Sequence, residues 1–300
     1  MYHDFFGLDD SPFKITPNLN LFYAGGQRGA VLDALLYAVS SGEGIIKVVG
    51  EVGTGKTMLC RMLEEHLPDN VETIYLANPS IPQDEILYAI ADELGLDLHN
   101  LRSTQLLRAL QEYLIEKYSL GKYVVLFIDE AQAMPVGTFE EIRLLSNLET
   151  GDRKLLQMVL FGQPELDDHL KSPKIRQLRE RITHSFYLSP FDGKQIQEYL
   201  SFRLRAAGYR GPDLFSPRTV RLIARASRGL VRRVNIMADK SLLAAFAENT
   251  HDIKPAHIKA AIRDSGFHPA FPLWKTIAVL TLLLIGAAGL FLFQIKKTTT

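Results

Sequence analysis

Eight residues near position 50 have the pattern of a phosphate-binding loop. The pattern G-x-x-x-x-G-K-[ST] is matched at every fixed position by Gly50, Glu51, Val52, Gly53, Thr54, Gly55, Lys56 and Thr57. The apolar run at residues 45–49 predicts a buried strand before the loop, and residues 58–63 predict a helix start after it. Backbone N–H groups and a helix N-terminus in this arrangement surround phosphate oxygens. The sequence therefore predicts a nucleotide-binding protein.

Two side chains of this loop have predicted roles toward ATP and Mg²⁺. Lys56 would reach the β- and γ-phosphates, and the Thr57 hydroxyl would hold Mg²⁺. We expect the remaining loop residues to contribute mainly through their backbone.

A second acidic motif follows another apolar run. Residues 123–128 are continuously apolar, which is typical of a parallel strand covered on both faces, and Asp129 and Glu130 come directly after them. Open α/β sheets bind ligands at the carboxyl ends of their strands. Asp129 would hold Mg²⁺, directly or through water, and Glu130 would act as general base for a water attacking the γ-phosphate. The pair favours hydrolysis over nucleotide storage.

Strands and helices alternate through the first part of the chain. This alternation predicts an α/β nucleotide-binding domain with a mostly parallel sheet covered by helices over residues 1–189. Further predicted strands lie at residues 71–76, 155–161 and 184–188, and predicted helices at 28–39, 84–94, 106–118 and 140–148.

Beyond Ser189 and Pro190 the pattern becomes helical. Spaced apolar positions with glycine and proline breaks predict a small all-helical lid domain over residues 190–265. Its predicted helices lie at residues 193–207, 216–227, 230–247 and 254–265.

The C-terminal segment has the length and composition of a transmembrane helix. Residues 273–293 carry one charge, Lys275, and at about 1.5 Å per residue a helix of this length would span a bilayer core of about 30 Å. The alternative is a buried core helix. A linker at 266–272 precedes the segment and a short tail at 294–300 follows it. Because ATP is cytosolic, we expect a single pass through the bacterial inner membrane with the ATPase domain in the cytoplasm.

Composition limits the kinds of partner and cross-link that the chain can have. The formal net charge is zero, so the whole chain has no general attraction to nucleic acid. Cys60 is the only cysteine, which excludes an intramolecular disulfide, and we interpret it as an inert core thiol. The tyrosines that fall within predicted elements are interpreted as core or boundary residues rather than ligands: Tyr37, Tyr75, Tyr88, Tyr113 and Tyr118.

A sheet-based nucleotide domain followed by a helical lid resembles the AAA+ ATPases, and two further features strengthen the resemblance. Gln163 follows the strand after the Asp129 strand and matches the sensor-1 residue, whose amide would orient the attacking water. Residues 229–235 resemble the sensor-2 pattern G-x-P-R-x-x-N, with Val231 in place of proline. The resemblance implies that Arg232 reaches from the lid to the γ-phosphate.

The resemblance extends to one group of these proteins. Residues 6–23 and the phrases GEVGTGKT, FIDEAQ, FGQPEL and LRERI are similar to general secretion pathway protein A and to ATPases of pilus biogenesis and exopolysaccharide loci. Arg28 departs from the histidine usual in this group. Membership implies a homo-oligomer that works with envelope assembly or secretion proteins at the inner membrane.

The resemblance also implies an arginine finger, which would enter the ATP site of a neighbouring subunit. Arg181 is the better match and Arg179 the reserve, against the alternative that arginines 176, 179 and 181 form a solvated helix face.

Nine arginines of the lid admit three interpretations. They could bind nucleic acid, face an anionic membrane leaflet, or pair with acids elsewhere in the fold, and we favour the last because no aromatic residues for base stacking are interleaved. The nine are Arg203, Arg205, Arg210, Arg218, Arg221, Arg225, Arg228, Arg232 and Arg233.

The predicted function is ATP hydrolysis by a membrane-anchored AAA+ ATPase that drives assembly or operation of an envelope complex. The alternatives are a DNA-binding ATPase of transposition type, which the apolar C-terminus argues against, and a nucleotide-gated adaptor with little turnover, which the set Lys56, Asp129, Glu130 and Arg232 argues against.

Overall fold

A computed structural model describes residues 2–42, 44–98, 101–151 and 153–267 of the chain. Its central element is a five-stranded sheet in the order β2-β3-β6-β1-β7, in which every neighbouring pair is parallel. A separate antiparallel hairpin joins β4 to β5. In chain order the strands are β1 Ile45–Gly50, β2 Val71–Leu76, β3 Tyr123–Ile128, β4 Glu149–Thr150, β5 Arg153–Lys154, β6 Leu156–Gly162 and β7 Ile182–Leu188.

Helices cover both faces of the sheet and form a separate bundle after it. They are α1 Tyr2–Phe6, α2 Arg28–Ser41, α3 Lys56–His66, α4 Ile86–Glu93, α5 Ser103–Ser119, α6 Val136–Leu145, α7 Glu165–Leu170, α8 Arg176–Arg179, α9 Gly193–Ala206, α10 Pro217–Ser227, α11 Val231–Ala247 and α12 Pro255–Ser265.

The two faces of the sheet face two different cores. On β3, Leu126 and Ile128 pack with apolar residues of α4, α5 and α6, whereas Val125 and Phe127 pack with residues of α2 and α3. This follows from the strand geometry, because successive side chains point to opposite faces. The structure thus confirms the predicted α/β fold with a parallel sheet covered by helices.

A third core belongs to the helical bundle α9–α12. The N-terminal residues Phe6, Leu8 and Phe13 are buried in this core rather than against the sheet. The sequence assignment of residues 1–189 to a single α/β domain is therefore incorrect for its first residues. Short N-terminal apolar groups carry no periodicity that would indicate which core receives them.

One predicted helix is displaced. The helix expected at residues 140–148 begins earlier, at Val136 directly after Pro135, and ends at Leu145. Leu148 is buried, but it packs from the turn that leads into the β4–β5 hairpin. The apolar Leu148 led the sequence analysis to extend the predicted helix beyond its true end. Strands β4 and β5 have two residues each, which is too short for a sequence pattern to predict them.

No helix among the described ranges is long and apolar enough to cross a membrane. The predicted transmembrane segment at 273–293, most of its linker and the tail lie outside the described residues.

Candidate nucleotide-binding site

The phosphate-loop pattern lies between the end of β1 and the start of α3. Gly53 and Gly55 have φ values of +81° and +101°, which L side chains rarely adopt. A Cβ atom added to Gly53 would lie 2.9 Å from the Cβ of Arg232. Glycine at this position therefore allows both the loop turn and the close approach of the helical bundle.

Lys56 is buried at the base of this loop, with 5% of its surface exposed. Its Nζ donates to the backbone oxygens of Gly50 at 2.8 Å and Glu51 at 3.3 Å. Burial lowers the pKa of Lys56, and the carboxylates of Glu130 and Asp129 oppose that shift. The ammonium group is thus held beside the loop carbonyls, where its predicted phosphate contact would be made.

The predicted Mg²⁺ ligands Thr57 and Asp129 are in direct contact. The Thr57 hydroxyl donates to Asp129 Oδ2 at 2.9 Å, and the Tyr75 hydroxyl on the neighbouring strand donates to the same oxygen at 3.1 Å. The other carboxylate oxygen, Oδ1, accepts from the backbone N–H of Glu130 at 2.9 Å. Burial and the Asp129 charge raise the pKa of Tyr75, so its hydroxyl keeps the proton that it donates.

Glu130 is held by two amide side chains. Its Oε2 accepts from Gln163 Nε2 at 2.8 Å and from Gln132 Nε2 at 2.6 Å, while Gln132 Oε1 accepts from the Gln163 backbone at 2.9 Å. Burial would raise the pKa of Glu130, but the two amides and Lys56 outweigh it and hold the pKa below its ordinary value. The carboxylate is therefore ionised at neutral pH. Glu130 also has a left-handed φ of 51°, a conformation that costs free energy in a non-glycine residue.

The structure thus brings together the loop, Lys56, Thr57, Asp129, Glu130 and Gln163. Sequence reasoning missed Gln132 and the contact of Tyr75. Gln132 lies only two residues after Glu130, so the FIDEAQ phrase could have suggested it, whereas Tyr75 is brought in by the pairing of β2 with β3 and has no local signal.

A cleft of about 440 Å³ opens beside the loop. Its lining includes residues 52–57, Glu130 and Arg232, and also apolar side chains such as Leu21, Phe22 and Met58. The Arg232 backbone N–H donates to the Gly53 oxygen at 3.1 Å. Helix α11 starts at Val231 without the proline of the family pattern, and Arg232 still faces the cleft. Glu51 and Val52 are exposed at the lip of the loop.

Arg28 also lines this cleft and connects three parts of the chain. It is 6% exposed, its Nη2 donates to the Thr54 oxygen at 2.8 Å, and its guanidinium lies 3.7 Å from the centre of the Phe191 ring. Burial lowers its pKa to about 10. This arginine, noted in the sequence only as a departure from histidine, fixes the phosphate loop against the residue that begins the helical bundle.

A buried polar network closes the far wall of the cleft. The Tyr199 hydroxyl donates to Asn235 Oδ1 at 2.7 Å and accepts from Arg203 Nη1 at 2.7 Å, and Arg203 Nε donates to the Pro12 oxygen at 2.5 Å. The network holds the N-terminal segment against the bundle, and no sequence pattern indicated it.

Arg181 lies away from the cleft. It precedes β7 at the amino edge of the sheet, where its Nη1 donates to the Ser146 hydroxyl at 3.1 Å and the Ser146 backbone oxygen at 3.4 Å. The phosphate loop follows β1 at the opposite, carboxyl edge. Arg179 is exposed on α8. Neither arginine lines the cleft of its own chain.

The donors of the site fit ATP and Mg²⁺. Mg²⁺ prefers oxygen ligands and is commonly held by one or two protein groups together with substrate phosphates. Thr57 and Asp129 supply such oxygens, and the buried Lys56 supplies a charge for phosphate. The apolar side chains across the cleft suit a base.

Comparisons in sequence agree with this geometry. An AAA domain family matches residues 39–170. General secretion pathway protein A of Aeromonas hydrophila is 40% identical over 273 residues, which make up 89% of this chain and 50% of that protein. The chain therefore spans about half the length of that relative.

Solved structures share the fold at low identity. Cdc6p from Pyrobaculum aerophilum superposes with a TM-score of 0.68 and 22% identity, covering 85% of this chain and 70% of that one. The RuvB Holliday junction branch migration motor of Thermotoga maritima gives a TM-score of 0.56 and 17% identity, covering 85% and 73%. These structures show the fold, and the sequence comparisons confirm the resemblance found in the sequence: the chain contains an AAA domain and is similar to general secretion pathway protein A.

Proposed function

We propose that the chain binds ATP with Mg²⁺ and hydrolyses it, as a membrane-anchored homo-oligomer that drives assembly or operation of a bacterial envelope complex. The observation that carries the hydrolytic part is the ionised Glu130 carboxylate, held by Gln163 and Gln132 beside the Thr57–Asp129 pair. A binding-only protein has no need for a carboxylate fixed in this way.

The residues divide the chemistry among themselves. Lys56 and the loop N–H groups bind the phosphates, and Arg232 adds a second positive charge from the lid side of the cleft. Glu130 accepts a proton from water as the water oxygen bonds to the γ-phosphorus and the bond to the bridging oxygen breaks, releasing ADP and phosphate. Gln163 and Gln132 keep the Glu130 carboxylate oriented during this step. Thr57 and Asp129 would hold Mg²⁺, whose positive charge would offset the negative charge of the phosphate oxygens.

Arg181 would act on a different copy of the chain. Its place at the amino edge of the sheet supports this, because the phosphate loop of the same chain lies at the carboxyl edge. The Ser146 oxygens hold the Arg181 guanidinium, so the side chain would be presented in a restricted orientation. Arg179, on the neighbouring helix, is the reserve for this role.

The proposed envelope role and membrane anchor are supported by the sequence and its relative, not by the geometry of the nucleotide site. The name of the A. hydrophila relative ties that protein to a general secretion pathway, and we extend such a role to this chain. The apolar segment at 273–293 supports a single-pass anchor in the inner membrane, with the nucleotide site on the cytoplasmic side.

Substitution of Lys56 and Glu130 should separate binding from hydrolysis. Lys56→Ala should weaken nucleotide binding and turnover together, because the ammonium contacts phosphate in the ground and transition states. Glu130→Gln should bind ATP normally and hydrolyse it about 10²–10⁴-fold more slowly, because it loses only the base. Binding of a fluorescent ATP analogue and steady-state phosphate release measure the two effects.

Glu165→Gln is the matched control for Glu130→Gln. Glu165 is an exposed acid whose charge also acts on Lys56, so this change alters the local charge without removing the base. Near-normal turnover in Glu165→Gln is expected. Wild-type turnover in Glu130→Gln would contradict the assignment of the base, whereas negligible turnover in the wild-type chain would favour a nucleotide-gated adaptor.

Mixing of two inactive variants should restore activity if Arg181 acts in trans. Arg181→Ala keeps an intact site without a finger, and Lys56→Ala keeps the finger without a working site, so mixed assemblies contain some complete interfaces. Phosphate release by the mixture should exceed the sum of the separate variants. Arg176→Ala, which changes an exposed arginine paired with Glu180, serves as the control.

The same mixing with Arg179→Ala decides between the two candidate fingers. Specific activity of the wild-type chain should also rise with protein concentration as assemblies form. Turnover that is independent of concentration, in a chain that sediments as a monomer, would exclude a finger in trans.

Membrane extraction tests the anchor. The full chain should remain with membranes in alkaline carbonate, because a spanning helix cannot be released without dissolving the bilayer. A chain ending at Phe267 should be soluble and bind nucleotide, since every proposed site residue precedes that point. Release of the full chain by high salt alone would show that residues 273–293 do not span the membrane.

A further inference from the structure

Four arginines form an exposed row on one helix of the bundle. Arg218, Arg221 and Arg225 lie on α10, and Arg228 caps its C-terminal end. Their spacings of three, four and three residues place them on one helix face. All four are exposed, while Val220 and Ile223 on the opposite side are buried in the bundle core. We call this row the arginine stripe.

The charges of the arginine stripe are not neutralised within the described part of the chain. There, the arginines that form ion pairs are Arg108, Arg143 and Arg176, and none of them belongs to the bundle. Arg221 donates only to the backbone oxygen of Pro217, at 3.2 Å. Within the described ranges, none of the nine lid arginines forms an ion pair, contrary to the interpretation that they pair with acids elsewhere in the fold.

The sequence around the arginine stripe contains no acid that could reach it locally. Between Asp213 and Asp239 there are six arginines and no aspartate or glutamate. Like charges at helical spacing repel each other, so a bound anion would stabilise this surface.

The start of the C-terminal linker contacts the first turn of α11. Helices α11 and α12 form an antiparallel hairpin, which returns the chain to the beginning of α11. There the Arg233 guanidinium lies 5.1 Å from the centre of the Phe267 ring. Arg228 is five residues before Arg233, so the chain between the end of the stripe and this contact spans at most about 18 Å.

We propose that the arginine stripe binds the anionic phospholipid headgroups of the membrane that holds residues 273–293. The inference rests on the proposed anchor. From Phe267 to the start of that segment the chain can reach at most about 20 Å, which keeps the bundle close to the headgroups. Anionic headgroups attract basic segments over about one Debye length, roughly 8–10 Å, so only a surface held this near would respond to them.

The composition of the stripe favours lipid over nucleic acid. The exposed positions of α10 carry arginine and proline, without the aromatic side chains that stack on bases or the amides that read base edges. A row of guanidinium groups that has no aromatic side chain or amide among it suits a surface of repeated, interchangeable phosphates.

The lipid contact would also bear on the nucleotide site. Arg232, whose backbone bonds to Gly53, lies in the first turn of α11, four residues after Arg228. Binding of the arginine stripe to lipid would therefore restrain the bundle within a few residues of its contact with the phosphate loop.

Arginine footprinting of the full chain tests the proposal. The chain is placed in nanodiscs of phosphatidylcholine alone or mixed with phosphatidylglycerol, and phenylglyoxal modification is followed at each arginine by mass spectrometry. In the anionic discs the four stripe arginines should react several-fold more slowly, and high salt should remove the difference. Arg61, exposed on α3, should react equally in both discs.

A triple variant shows whether the stripe acts as one surface. In Arg218→Gln/Arg221→Gln/Arg225→Gln the remaining Arg228 should lose its protection in anionic discs, whereas Arg61→Gln should leave Arg228 protected. Retained nucleotide binding verifies that the triple variant is folded.

Equal modification of the stripe in the two lipids would overturn the proposal. If duplex DNA then protected the same arginines, the surface would belong to nucleic acid instead. A chain that entered neither disc would contradict the anchor. The stripe would then be tested by adding anionic vesicles to the free chain and measuring whether the same arginines are protected from phenylglyoxal.

Discussion

The buried carboxylate of Asp129 connects the parts of the site. It is 4% exposed and accepts hydrogen bonds from Thr57, Tyr75 and the Glu130 backbone. These donors come from the phosphate loop, from β2 and from the second residue after β3, so one side chain fixes the loop against two neighbouring strands. Hydrogen bonds to an ionised acceptor are about twice as strong as neutral ones, and a buried carboxylate needs them to offset its lost hydration.

The position of Glu130 follows from that of Asp129. Its backbone N–H is committed to Asp129, which holds the residue in its left-handed conformation and directs the side chain toward Gln132 and Gln163. The bundle is tied to the same region by Arg232, at the Gly53 oxygen, and by Arg28, which joins Thr54 to Phe191. Hydrolysis, the contact of the lid and the proposed membrane contact would therefore all affect the phosphate loop at residues 50–57.

The sequence was most informative where the structure is local. The loop at 50–57, the strands around it and the acids after β3 were predictable, because each depends on contiguous residues and on hydrophobic periodicity. Tyr75 and Arg28 were not, because their partners lie 54 and 26 residues away and are supplied by strand pairing and chain crossing. The helix predicted at 140–148 was displaced from α6 because Leu148 is buried from a turn after the helix and not from the helix itself. The arginines of the bundle were misread because composition does not show which acids lie within reach.

The dependence of ATP affinity on Mg²⁺ in Asp129→Asn tests the central claim most directly. If Thr57 and Asp129 form the Mg²⁺ site, the wild-type chain should bind ATP more tightly with Mg²⁺ than with a chelator. Asp129→Asn should lose most of this Mg²⁺ enhancement, since only Thr57 remains of the two ligands, while keeping the Mg²⁺-free affinity, because Lys56 and the loop remain. Calorimetry with ATP measures all four affinities. An Asp129→Asn chain that retains the full Mg²⁺ enhancement would contradict the account.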